Sequence, residues 1–157
     1  MKKAILVFLI IILAGCASSN NQNKYSDFDY SFARSGGLSP IYENLLVKGN
    51  KVHYAFEGQG KNIKKDFTIS NEDLRNIENV LVENQFSMIQ EDYNKLYDNV
   101  SVEINVKKGN NTGSKSDAAY IVKKDQQRWD NVVKVFQQLI DLNVKTDSEK
   151  YSDRNDE

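Results

Sequence analysis

The sequence predicts an α+β fold, an antiparallel sheet of about six strands with two amphipathic helices packed on one face. Three observations predict it. Apolar and polar residues alternate over several short stretches between positions 28 and 106, the period of half-buried strands. Two longer stretches, one after Ser70 and one after Asp125, change to a spacing of three and four, the period of a helix with one buried side. Glycine- and asparagine-rich breaks separate the strand stretches at hairpin distance, which makes neighbouring strands antiparallel.

The elements follow in order. Phe28, Tyr30 and Phe32 lie two apart and predict a first strand, closed by Arg34-Ser35-Gly36-Gly37, where two glycines free the backbone for a turn or bulge. Pro40, the only proline, suits the start of a strand, and 41–48 forms the second. Gly49-Asn50 predicts a tight turn into a third strand over 51–57, with Val52, Tyr54 and Phe56 on one face. After the break "GQGKN", 64–69 gives a short fourth strand with Phe67 and Ile69 inward. Ser70 is a good helix cap with Asp73 three residues on, and Leu74, Ile77, Val80 and Leu81 form the apolar stripe of a helix reaching about Glu83. Phe86 and Met88 are expected to pack back beneath it, and 90–99 to form a polar loop. Val100, Val102, Ile104 and Val106 give the cleanest alternation in the chain, and beyond "GNNTG" a partner strand is expected over 114–121. The last helix, 125–143, carries Trp129, Val132, Val133, Phe136, Leu139 and Ile140 on one side. Its polar side mixes signs rather than presenting a basic row, so it faces a core and not a membrane surface.

The first sixteen residues have a different character. Lys2 and Lys3 precede a short apolar run, and small residues follow it. These are the parts of an export signal, and the run is too short for a spanning helix, which needs roughly 20 apolar residues. Leu13-Ala14-Gly15-Cys16 resembles the lipobox of bacterial lipoproteins. The resemblance implies a diacylglyceryl group on the Cys16 sulfur, cleavage between Gly15 and Cys16, and often a further fatty acyl group such as palmitate on the new amine. It places the chain in the bacterial cell envelope, anchored to the membrane by lipid. Ala17 in place of an aspartate permits the outer membrane if the cell is Gram-negative.

The expected organisation is therefore a signal peptide over 1–15, a lipidated cysteine and flexible tether over 16–27, one α+β domain over 28–143, and a charged, disordered tail over 144–157. The leader holds two of the 21 basic residues and none of the 22 acidic ones, so the remaining chain is net about −3. Mild acidity without a basic stripe argues against nucleic acid as a partner. With the only cysteine consumed by lipid, the domain has no thiol for a disulfide, a nucleophile or a zinc site.

No residue pattern points to catalysis, a cofactor or a metal. His53 is the only histidine and falls by alternation on the solvent side of its strand or under a neighbour. Ser35 in "RSGG" lacks the G-x-S-x-G frame of a nucleophile elbow. No glycine-rich turn follows a strand and opens a helix, the setting a phosphate cradle requires. The eight tyrosines are the remaining signal, because exposed tyrosine offers contact area at low entropic cost. Tyr42, Tyr93 and Tyr97 lie off every apolar stripe and are the expected recognition surface, for an unidentified envelope protein or glycan.

The folded body also resembles the emfourin-like protealysin inhibitors and small lipoproteins of similar layout. The shared features are a first strand closing on "RSGG" (34–37), a helix ending before "NQF" (84–86), a strand beginning near Asp98 and a terminal amphipathic helix. The resemblance implies a compact binding domain and, as one alternative, a membrane-tethered metalloprotease inhibitor. It matches no inhibitory loop here, so no residue is carried over. The leading expectation is a non-catalytic binding or assembly module. A further alternative is an enzyme using a carboxylate or tyrosine site in a cleft.

Overall fold

The computed structural model describes residues 27–93 and 100–145. The leader, Gly15, Cys16, the tether up to residue 26, Tyr97 and the tail from 146 onward lie outside the described residues. Six strands form one antiparallel sheet: β1 (Tyr30–Gly36), β2 (Ile41–Lys48), β3 (Lys51–Gly58), β4 (Lys61–Thr68), β5 (Ser101–Val106) and β6 (Gly113–Ser116). Their order across the sheet is β4-β3-β2-β1-β5-β6. Two helices, α1 (Asn71–Glu83) and α2 (Gln126–Ile140), join the same hydrophobic core. The architecture is α+β, as the alternation and the two helical stripes predict.

Register follows from the turns. Gly49 takes φ +54°, which closes a two-residue connection and pairs Lys48 with Lys51. Asn50 Nδ2 then donates to Ile69 O at 2.9 Å, tying this turn to the entry of α1. That register sends Tyr30, Phe32, Leu45, Val47, Val52 and Tyr54 to one face, where all are buried. Ile77 and Leu81 of α1 and Trp129, Val132, Phe136, Leu139 and Ile140 of α2 meet them. Phe32 and Phe136 stack across the two layers with ring centroids 5.9 Å apart.

Several boundaries differ from the expectation for identifiable reasons. Phe28 precedes β1 rather than opening it. β4 begins at Lys61, because only Gln59 and Gly60, both at positive φ, form the turn within "GQGKN". Phe86 is buried as expected, but Met88 is exposed and Ile89 is buried in its place. Gln85 adopts a left-handed conformation and starts a 3-10 turn over Phe86–Met88, and at three residues per turn positions 86 and 89 share a side. Val100 stands outside β5 and is half exposed. The last strand ends at Ser116, not at 121, since the Ser116 N–H donates to Glu91 Oε1 at 2.5 Å and the chain turns at Asp117. α2 ends at Ile140 and continues as one wide turn, Asp141–Lys145, whose Val144 packs against the core. Val135 is buried although the expected stripe omitted it, because α2 touches α1 as well as the sheet.

Candidate functional site

β1 separates two chemically different ends of the domain, about 20 Å apart at the usual strand rise. The chain enters at Asp27–Asp29. Asp29 is clamped from both sides. Its N–H donates to Val47 O, and its carbonyl accepts from the Lys107 N–H, each at 2.8 Å. Its carboxylate accepts from the Gly49 N–H at 2.8 Å and from Lys48 Nζ at 3.1 Å. Burial opposes ionisation of Asp29, but these donors outweigh it and hold the carboxyl below its ordinary range. Lys48 also lies 2.8 Å from Asp27, Lys108 lies 3.3 Å from Glu78, and the Lys107 ammonium sits 3.7 Å from the Phe28 ring centroid. The entry end is a mesh of charges.

The opposite end carries large apolar and aromatic groups in the open. Leu38 at the tip of the β1–β2 turn is fully exposed, Tyr42 is 61% exposed and Tyr93 is 75% exposed. Gly37, at φ +90°, leans on Val100 so closely that a Cβ there would lie 3.0 Å from Val100 Cγ2. This brings the Leu38 turn beside the start of β5. Tyr93 donates its hydroxyl to Glu91 Oε2 at 2.5 Å, and that bond raises the phenol above its ordinary pKa. Tyr42 stands on β2, and Tyr93 is tied through Glu91 to the Ser116 N–H of β6. β1 and β5 lie between β2 and β6, so the two rings flank this end from separate sides.

Tyr42 also forms one wall of an open groove of about 310 Å³ on the face of the sheet away from the helices. Its floor is Ala33, Ser35, Asn44 and Ala55, and Glu57, Asn62 and Lys64 stand along β3 and β4. Small side chains in the centre let a ligand approach the sheet, while the aromatic wall and the amide and charged rim supply stacking and hydrogen bonds. Chemically, such a lining can stack against and hydrogen-bond a polar chain. A second groove, about 360 Å³, runs between α1 and α2 past Ile77, Val135, Leu139 and Leu142.

Behind Tyr42, on the covered face, is a charged network that sequence reasoning missed. Glu43 is only 7% exposed. Tyr54 donates its hydroxyl to Glu43 Oε1 at 2.8 Å, and Arg34 Nε lies 2.8 Å from Glu43 Oε2 as an ionic contact without hydrogen-bond alignment. Burial, then the Glu43 carboxylate, raises the Tyr54 phenol far above its ordinary range. The signal was present: Ile41, Glu43, Leu45 and Val47 share one parity, so alternation already turned Glu43 inward.

His53 pairs with Asp66 across β3 and β4 at 2.5 Å on the uncovered face. Among the described residues no group of three or more His, Cys, Asp or Glu side chains could hold a metal ion. No described helix is long and apolar enough to cross a membrane. No family model matches the chain, and no curated protein matches it. What the geometry defines is an α+β domain with a charged entry end and a tyrosine-bearing far end.

Proposed function

We propose that the protein is a lipid-anchored component of the bacterial cell envelope, working as a non-catalytic binding or assembly module. One observation carries the proposal. Leu13-Ala14-Gly15-Cys16 stands directly behind a short apolar run with a basic start. Acyl burial is worth about 0.8 kcal/mol per methylene, so one chain holds weakly and two or three hold firmly.

The geometry of the domain fits such an anchor. The chain reaches the sheet at the charged end, through the Asp29 clamp. A leash attached there leaves Leu38, Tyr42 and Tyr93 pointing away from the bilayer, where a partner in the envelope meets them. Residues 17–27, fully extended, span at most about 35–40 Å, which sets the height at which the domain works. The partner is an envelope protein or a glycan, held by the Tyr42 groove and the apolar tip beside it.

Changing Cys16 to Ser tests the anchor. The variant is expected to accumulate as an uncut precursor without lipid, and the parent to yield an acylated N-terminus at Cys16 by mass spectrometry. A variant that matures and fractionates with membranes as the parent does would overturn the reading.

A further inference from the structure

We propose that the Tyr42 groove is a trench for an extended, uncharged glycan of N-acetylated amino sugars, lying across the strands on the face away from the helices. The proposal rests on the reading of the domain as a binding module and names its ligand.

Two neighbouring rows of side chains, each crossing the sheet at right angles to the strands, make the groove. The pairing of β1 through β4 sets Ala33, Asn44, Ala55 and Lys64 side by side in one row. The next row, toward the apolar tip, sets Tyr42 beside Glu57 and Glu57 beside Asn62. Both rows line the same opening. Ala33 and Ala55 are its low points. Alanine is depleted in strands, where β-branched and aromatic side chains pack better. Two alanines in one row, on inner strands, give up sheet stability, and what the row gains is depth. A local rule broken in this way is expected at a functional position.

The direction of the trench excludes an added strand, since a peptide that extends a sheet lies along its edge. A chain in this trench crosses the strands, and side chains must hold it. Strands lie about 4.8 Å apart, and the sugars of an extended, equatorially linked glycan repeat at nearly that spacing, so each sugar meets one strand. Tyr42 supplies an exposed aromatic surface for the C–H groups of a pyranose ring. Asn44, exposed between two alanine methyls, matches an acetamido group, amide to amide and methyl to methyl. Glu57 and Asn62, both exposed, are placed to take hydroxyls. The charges of Glu57 and Lys64 cancel, which suits an uncharged ligand rather than a sulfated or phosphorylated one.

Titration of the full chain in detergent with an N-acetylglucosamine tetramer tests the proposal. The tetramer is expected to bind, with little change between low salt and about 1 M, where charge interactions are screened. A glucose tetramer of the same linkage should bind about tenfold more weakly, because it lacks the acetamido groups. Tyr42→Ala should weaken binding of the N-acetylated tetramer about tenfold. Ala55→Val fills the trench, so it should remove most of the binding while the urea midpoint stays level or rises. Should Ala55→Val fold poorly, Asn44→Ala carries the test with the same expected loss. No binding of the tetramer, undiminished binding by these variants, or preference for a sulfated glycan overturns the proposal. If no sugar binds yet Tyr42 still crosslinks to a protein in intact envelopes, the ligand is wrong and the binding module stands. If neither occurs, both readings fall.

Discussion

Glu43 is a residue whose inward position is costly and whose partners explain why it is tolerated. A carboxylate facing a core is expensive unless its oxygens are satisfied. Here one oxygen accepts from Tyr54 and the other faces Arg34. Glu43→Ala should therefore destabilise the domain by about 1–3 kcal/mol, since it strands the Tyr54 hydroxyl and leaves the Arg34 charge unbalanced. Replacing Arg34 and Glu43 together by Met and Leu should recover the part of that loss that comes from the unbalanced Arg34 charge, while the Tyr54 hydroxyl stays stranded, because removing a charge pair is milder than breaking one. Urea denaturation of the two variants checks this. A double variant no more stable than Glu43→Ala would show that the pair is valued for something besides charge balance. Residue-level legibility was uneven for a physical reason. Strand parity turned Glu43 inward, yet composition says carboxylates belong outside, and only the cross-strand register with Arg34 and the diagonal reach of Tyr54 resolve the conflict. Asp117 was less legible still. It joins the β5 backbone to Trp129 of α2 through its two oxygens, at 2.7 and 3.1 Å, and no local pattern announces that role.

At the level of elements, the first helix was legible because its start is written locally. Ser70 accepts from the Asp73 N–H at 3.0 Å, and Asp73 accepts from the Ser70 N–H at 2.9 Å, a complete capping box. Ser70→Ala should cost about 1 kcal/mol, read as a lower denaturation midpoint with an unchanged slope. Asp73→Asn should cost less, as it keeps an acceptor for the Ser70 N–H while losing the charge that suits a helix start. Equal stability of Ser70→Ala and the parent would mean that packing of Ile77 and Leu81 alone holds the helix. The hairpins from β2 to β4 were legible for the same local reason, since glycine-bearing turns and alternation agree there. β6 was not. Its end depends on Glu91, 25 residues away, taking the Ser116 N–H. Phe86 was read correctly, but Ile89 rather than Met88 joins it in the core, because the left-handed Gln85 resets the period at the end of the helix.

At the scale of the whole molecule, the proposed function divides labour between the two ends of β1, one holding and one contacting. The clamp at Asp29 ties the entering chain to both β2 and β5, so under the proposed anchoring any pull on that chain would be shared by the three central strands. Tyr42 makes the point testable. Its ring stands on the uncovered face, 61% exposed, beside a floor of alanines and serine. Tyr42→Ala should change stability by no more than about 0.5 kcal/mol, yet lower partner capture roughly tenfold, equivalent to about 1.4 kcal/mol of binding free energy. Tyr93→Ala should act in the same direction, and the two effects should add, since β1 and β5 separate the strands beside them and distant sites behave independently. Crosslinking in intact envelopes with the lipidated protein provides the measurement, with Lys108→Ala at the entry end as the control expected to bind normally. Loss of capture in the control and none in the tyrosine variants would reverse the assignment of the two ends, and would place the partner beside the leash instead of beyond it.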